Sequence, residues 1–225
     1  MNAFDAKHYL KLKHFDSWSS EGSSLTLRYS FHHVQIDLLQ DSFFRLAIFP
    51  EKIGLQKNGV GFAVLAQDFS SPVYTIEDQE QALLIHSEHY SLELQKSPFS
   101  LSARRSDGSL IWQGSQEGAY SYLNDDFMIH RQCYGPDMIL GLGEKTGSMN
   151  RMGQDYTLWN TDILSPQIDR DHDSKEVHQK NEARSNPMSD QFDPYYMSIP
   201  FFQHLDSKTG QASGSFIDNP TKSYF

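Results

Sequence analysis

A single cysteine, Cys133, is the only thiol in the 225-residue chain. One thiol excludes an intrachain disulfide framework and any multi-cysteine zinc site, and it fits a reducing compartment. Positive charge is scarce as well. Lys and Arg total 19 against 29 Asp and Glu, a formal net charge of −10, and no basic run exceeds Arg104-Arg105. Such a balance argues against a nucleic-acid groove and against binding to anionic membranes, both of which need a basic face. Long apolar runs are missing: nothing approaches the ~20 residues needed to span a bilayer. The opening MNAFDAKHYLKLKHFD has no apolar core of a secretory leader, and no Asn-x-Ser/Thr acceptor occurs without proline in its middle position. The expectation is a soluble, cytoplasmic protein. Aromatic residues, in contrast, are abundant, with 15 Phe, 11 Tyr and 3 Trp, a composition that leans towards β-structure.

Apolar periodicity is of period two and comes in short runs. Leu25–Tyr29, Val34–Leu38, Tyr90–Leu94 and Phe99–Ala103 alternate. Phe43–Phe49, Val73–Ile76, Ala82–His86, Leu110–Trp112, Phe127–Cys133, Met138–Leu142, Tyr156–Trp159, Tyr196–Phe202 and Gly214–Ile217 are further strand-like segments. Ser106-Asp107-Gly108-Ser109 is a turn that joins two of them as a hairpin. No window carries a three-turn helix and no internal repeat is found. The pattern predicts an all-β fold, a sandwich or barrel of antiparallel strands, as one domain over 1–225. Residues 165–193 stand apart: polar, aperiodic and too long for an ordinary connection, they are expected to form a mobile excursion with a short helical turn around Lys175–Ala183. Lys222–Phe225 starts another strand where the sequence stops, which is expected of a fragment of a longer protein. Its open strand edge invites self-association, so a homo-oligomer is an allowed state.

Several motifs invite chemistry and fail their templates. GLGEKTG (Gly141–Gly147) has Glu144 where a phosphate loop needs Gly-Lys-Ser/Thr in sequence, and Thr146 where a dinucleotide fingerprint needs glycine. It reads better as a turn where backbones approach closely. Asp169-x-Asp171-x-Asp173 imitates a calcium loop, yet Ser174 and Lys180 occupy the positions of its essential Gly and Glu. His32 and His33 face opposite sides of a strand and cannot chelate one metal as neighbours. Asp125-Asp126 reads as a turn. No cofactor and no metal site are expected. Trp159-Asn160-Thr161-Asp162 carries more, because it sits where a strand meets the long excursion. Trp159 offers a flat apolar face with a polar edge that suits a sugar ring, and the Asp162 carboxylate can accept bonds from vicinal hydroxyls. The alternative is a core tryptophan followed by a turn-capping aspartate.

Three ordered motifs resemble one family. ILGLGEKTGSMNRMGQDYTLWNTD (Ile139–Asp162), DPYYMSIPFF (Asp193–Phe202) and GSFIDN (Gly214–Asn219) resemble the N-terminal domain of glycoside hydrolase family 31, the α-glucosidases and their relatives. The resemblance implies an antiparallel β-sandwich (supersandwich) of the galactose-mutarotase-like type, packed against a (β/α)8 barrel that performs retaining hydrolysis with two carboxylates. Neither barrel motif occurs in this chain, so it contributes no catalytic residue and is expected to be inactive alone. Its partners would be the C-terminal catalytic barrel of the same parent chain and an α-linked glucosyl oligosaccharide or related α-glycoside. Asp162 matches a family position that reaches over the barrel mouth to the substrate, with Trp159 and Asn160 supporting it. Phe201 and Phe202 are candidates for burial against the barrel. The chain departs from the pattern after Asp162, where about thirty residues replace a short crossing to Asp193. Two rival readings remain: a free-standing carbohydrate-binding module without activity, and a mutarotase, for which His130 and Glu144 lack any recognisable spacing.

Overall fold

The computed structural model describes residues 6–51, 64, 69–145, 147–160 and 196–225. Its regular structure is strand, apart from one 3-10 turn at Ala6–His8, and every strand pairing is antiparallel. Among the described residues no helix is long and apolar enough to cross a membrane. The chain forms two compact units, Met1–Tyr134 and Gly135–Phe225. The excursion expected at 165–193 lies outside the described residues, as does the calcium-loop imitation within it.

The first unit is a two-sheet sandwich. Four strands, β2 (Phe15–Glu21), β3 (Ser24–Tyr29), β4 (His32–Gln40) and β5 (Phe43–Pro50), pair in sequence order. Five more, β6 (Tyr74–Asp78), β7 (Ala82–Ser87), β8 (Tyr90–Gln95), β9 (Ser100–Arg105) and β10 (Leu110–Gln113), form a second meander. Alternate residues of a strand point to one face. Leu25 and Leu27 of β3 with Val34, Ile36 and Leu38 of β4 therefore meet Leu83 and Ile85 of β7, Leu92 and Leu94 of β8 and Leu101 and Ala103 of β9 in one buried cluster. Each of the Val, Leu and Ile side chains contributes roughly 1.5–3 kcal/mol by leaving water. A small sheet of β1 (Leu10–Lys11), β11 (Tyr120–Leu123) and β12 (Asp126–Ile129) completes the unit.

Strand β4 is buried on both faces. Its second face is polar, and Asp37 accepts bonds from Ser24 Oγ (2.5 Å) and Gln35 Nε2 (2.7 Å) and pairs with Arg45 (2.9 Å). Satisfied in this way, a carboxylate tolerates removal from water. Adjacent His32 and His33 sit on opposite faces of this strand, with the His32 ring 4.1 Å from that of Tyr122, and no metal-binding cluster occurs among the described residues. The expected hairpin at 106–109 joins β9 to β10, with Asp107 Oδ1 accepting the Ser109 amide (2.8 Å). Of Asp125-Asp126, read as a turn, Asp125 lies in one with Asn124 at φ 55°, whereas Asp126 already opens the next strand and pairs with Leu123.

The second unit holds a three-stranded sheet, β13 (Met138–Gly143), β15 (Ser198–Leu205) and β16 (Ala212–Phe216), in the order β13-β15-β16. Two short strands, β14 (Thr157–Leu158) and β17 (Ser223–Tyr224), pair beside it. Strand β17 is the segment expected to begin at Lys222. The close approach read from GLGEKTG is present, but Gly141 and Gly143 lie in the irregular end of strand β13 and not in a turn. A Cβ on Gly141 would stand 2.7 Å from the Phe201 carbonyl oxygen, and one on Gly143 would stand 2.6 Å from the Ile199 nitrogen. Both glycines hold positive φ at a register shift in the β13–β15 ladder, where a side chain would strain the backbone and collide with β15. Of the two aromatics named as candidates for burial against a barrel, Phe201 is exposed, whereas Phe202 is 2% exposed and its ring lies 5.0 Å from that of Phe225. Neighbours on a strand must face opposite sides, so the pair cannot share one surface.

Candidate functional site

The chain emerges to solvent at the end of β14. Tyr156, Thr157 and Leu158 are buried, and Trp159 and Asn160 are exposed, Trp159 at 49%. The core reading of Trp159 is therefore set aside. What holds it at the surface is Ser198, the first residue of β15. The Ser198 hydroxyl accepts the Trp159 amide (3.1 Å), donates to the Trp159 carbonyl (3.0 Å) and accepts Lys145 Nζ (3.0 Å). That uses the one donor and two acceptor positions a serine hydroxyl possesses. The Ser198 amide in turn donates to Asn160 Oδ1 (2.6 Å), and Lys145 Nζ also donates to the Thr157 carbonyl (2.6 Å). Backbone and side chain of one residue thus clamp the Trp159-Asn160 step from both sides.

The segment leading to β14 is fixed by Arg151. Its guanidinium donates to the Ser148 carbonyl (2.6 Å) and lies 5.3 Å from the Tyr156 ring centroid. Asn150 Oδ1 accepts the Ile139 amide (3.1 Å), tying the segment to β13. Trp159, Asn160, Ser198, Asn219, Pro220 and Thr221 line an open cleft of about 300 Å³. Its far wall is a rigid turn, because Asn219 Oδ1 accepts both the amide (3.0 Å) and the hydroxyl (2.9 Å) of Thr221. The cleft presents one indole face, two amide side chains and hydroxyls. These groups suit a polyhydroxylated ring. None of the described lining residues is a carboxylate, and glycoside hydrolysis needs two across the scissile bond.

Of the residues singled out from the sequence, the structure brings Trp159 and Asn160 together, and Asp162 lies outside the described residues. Sequence reasoning missed Ser198 and Lys145. Ser198 stands within the Asp193–Phe202 motif, so its presence there was the available signal, but its contacts to Trp159 cross 39 positions.

Asp137, His204 and Ser207 also meet in this unit, the residue types of a hydrolytic triad in the wrong order of contact. The carboxylate accepts both His204 Nε2 (2.9 Å) and the Ser207 hydroxyl (3.0 Å), and His204 is 1% exposed. No serine–histidine bond is formed and no substrate reaches the imidazole. Burial opposes ionisation of Asp137, but the bonds from His204 and Ser207 together hold its carboxyl below the ordinary value. The group is a structural staple.

Comparison with known proteins follows the same line. Residues 33–225 match the family described as the glycosyl hydrolase 31 N-terminal galactose mutarotase-like domain. Alpha-glucosidase 2 of Bacillus thermoamyloliquefaciens is 26% identical over 151 residues, 67% of this chain and 16% of that protein. A family 31 dextranase of Flavobacterium johnsoniae, solved with isomaltotriose, superposes with a TM-score of 0.75 at 21% identity over 96% of this chain and 23% of its own. A family 31 α-xylosidase from a soil metagenome, solved with xylose, gives 0.59 at 14% identity over 93% of this chain and 29% of its own. The chain thus spans less than a third of these relatives, and at such identities the two structures show the shared fold alone. The match across 33–225 places the chain in the glycosyl hydrolase 31 family, as its N-terminal galactose mutarotase-like domain.

Proposed function

We propose that the chain is the non-catalytic N-terminal β-sandwich of a retaining α-glucosidase-type hydrolase, and that it completes the substrate pocket of a catalytic (β/α)8 barrel carried by the same polypeptide. The observation that carries this reading is the clamp of Ser198 on Trp159 and Asn160. It presents an indole at the rim of a cleft that has polar groups for sugar hydroxyls. The substrate class is an α-linked glucosyl oligosaccharide or a related α-glycoside, and Asp162 is its second contact beyond Trp159. The family match runs through both compact units, which supports reading 1–225 as one domain. The lone Cys133 supports a cytoplasmic setting.

The test is kinetic. In the natural polypeptide that contains this sequence, Trp159→Ala and Asp162→Asn should raise KM for a maltose-like substrate, with a smaller change in kcat. A loss confined to ground-state and transition-state binding alike has that signature. Turnover by residues 1–225 alone would sink the reading. Tight maltose binding by residues 1–225, with no hydrolysis by the natural polypeptide, would establish the free-standing module instead.

A further inference from the structure

Two side-chain amides line the cleft beside Trp159, and the orientation of each is forced. A backbone N–H can only donate, so the amide atom that faces it must be oxygen. Asn160 turns its Oδ1 to the Ser198 amide (2.6 Å), and Asn219 turns its Oδ1 to the Thr221 amide (3.0 Å). The two Nδ2 atoms take no part in these bonds and remain as donors for a ligand. Thr221 is fixed in the opposite sense. Its hydroxyl donates its one proton to Asn219 Oδ1 (2.9 Å), which leaves the Oγ1 lone pairs to accept. The turn at Asn219–Thr221 therefore sets a fixed donor beside a fixed acceptor. Both adjoin the same Oδ1, one through the shared carboxamide carbon and the other across that 2.9 Å bond. The turn is held at both ends. Before it, the Ile217 amide donates to the Pro200 carbonyl (2.8 Å). After it, Ser223 pairs with Leu158, the residue that precedes Trp159. One ladder thus ties the turn to the strand that carries the indole. Pro220 stiffens the turn further, since its ring fixes φ and confines the residue before it. Groups ordered in advance cost little to order on binding.

We infer that Asn219, together with Thr221, is a specificity-determining contact that takes one hydroxyl of the sugar. The inference rests on the functional reading above and adds a contact on the wall away from Trp159. A hydroxyl accepts from Asn219 Nδ2 and donates to Thr221 Oγ1, so it answers both groups. A ring or glycosidic oxygen only accepts, as does a carboxylate or a phosphate dianion, and each leaves Thr221 without a donor. The pair therefore selects a neutral hydroxylated ring over the same ring deoxygenated, oxidised to a uronate or phosphorylated at that position. Trp159 covers a ring face by apolar contact and does not tell one hydroxyl from another. Discrimination falls to fixed polar groups, because an analogue that lacks the hydroxyl leaves them unpaired.

Asn219→Asp separates this contact from the turn. An aspartate keeps the oxygen that Thr221 needs and forms such turns equally well, but it puts an acceptor where the donor stood. The experiment is steady-state hydrolysis of α-glucosides, α-xylosides and α-galactosides by the natural polypeptide that contains this sequence. Monodeoxy derivatives of the best substrate follow, with thermal melts on the same samples. Asn219→Asp is expected to raise KM about tenfold, with a smaller change in kcat and the melting temperature kept. Thr221→Val should raise KM as well, and Thr221→Ser should restore it. In the parent, one monodeoxy derivative should show a KM about tenfold above that of the full sugar, and Asn219→Asp should abolish that difference. A KM indifferent to Asn219→Asp overturns the inference; if Trp159→Ala still raises KM, the functional reading stands without it. A raised KM with a lowered melting temperature and the deoxy discrimination intact assigns Asn219 to the turn alone and also overturns it. If none of the glycosides is hydrolysed, the functional reading fails. Calorimetric titration of the same polypeptide with maltose then decides the inference: binding weakened by Asn219→Asp supports it, and binding that is unchanged or absent overturns it.

Discussion

The two compact units spend their apolar residues differently. The first closes on itself: sixteen buried hydrophobic residues, most of them from the two larger sheets, form one cluster, with Trp18, Phe44 and Ile48 packed against its rim. The second holds fewer buried hydrophobics, Ile139, Leu142, Tyr156, Leu158 and Phe202 among them. Yet eight of the fifteen exposed large hydrophobics among the described residues lie there, although it supplies well under half of those residues. The family motifs also concentrate in that unit, over Ile139–Asn219. The difference teaches that the first unit is a self-sufficient scaffold. The second is organised by polar clamps and close backbone crossings, and many of its large apolar residues are exposed.

Substitutions that strike each unit where it is strongest sharpen this contrast. The largest effect belongs to the first unit: Leu94→Ala opens a cavity in the shared core and should cost about 3–4 kcal/mol in chemical denaturation. In the second unit Gly143→Ala meets backbone atoms 2.6 Å away at φ 78°. It should cost about 2–3 kcal/mol, seen as a lowered denaturation midpoint. If it proves neutral, the close-crossing account of that unit is wrong.

Asp137→Asn removes a buried charge-assisted acceptor and should cost about 2 kcal/mol at neutral pH. Its sign with pH is fixed. The native carboxyl titrates below its ordinary value of 3.8, so its contribution is fully present above that value and is lost as pH falls through the lower native one. Thermal melts between pH 6 and pH 2 should therefore converge for the parent and Asp137→Asn at the acid end; a constant gap contradicts the assignment. The smallest expected change is Ser198→Ala, about 1 kcal/mol in stability. Its distinctive readout is Trp159 fluorescence, which should shift and gain mobility as the indole loses its clamp.

Much of this fold was legible from period-two alternation. Leu25–Tyr29, Val34–Leu38 and Tyr90–Leu94 became β3, β4 and β8 because each turns its alternate apolar residues into the shared core. Strand β2 was not legible. Its register shifts between Phe15 and Ser17, so the half-buried Phe15 and Trp18 stand three apart and the alternation is broken. Strands β1 and β11 span two and four residues, too short for any period to show. At the site, Trp159 and Asn160 could be named from their motif. The groups that hold them could not, because Lys145 and Ser198 meet across 53 positions through a strand pairing that no local pattern encodes. Gly141 and Gly143 of GLGEKTG were read correctly as a close approach, since a failed phosphate template leaves backbone geometry as their remaining reason, although they lie in a strand and not in a turn.

The most direct test of the central claim is the turnover of a panel of α-glucosides, α-xylosides and α-galactosides by the natural polypeptide that carries this sequence, with and without Trp159→Ala. Hydrolysis of at least one of them, with KM raised about tenfold by the substitution, is the predicted result. An absence of turnover across the panel, or kinetics indifferent to Trp159, would contradict the account.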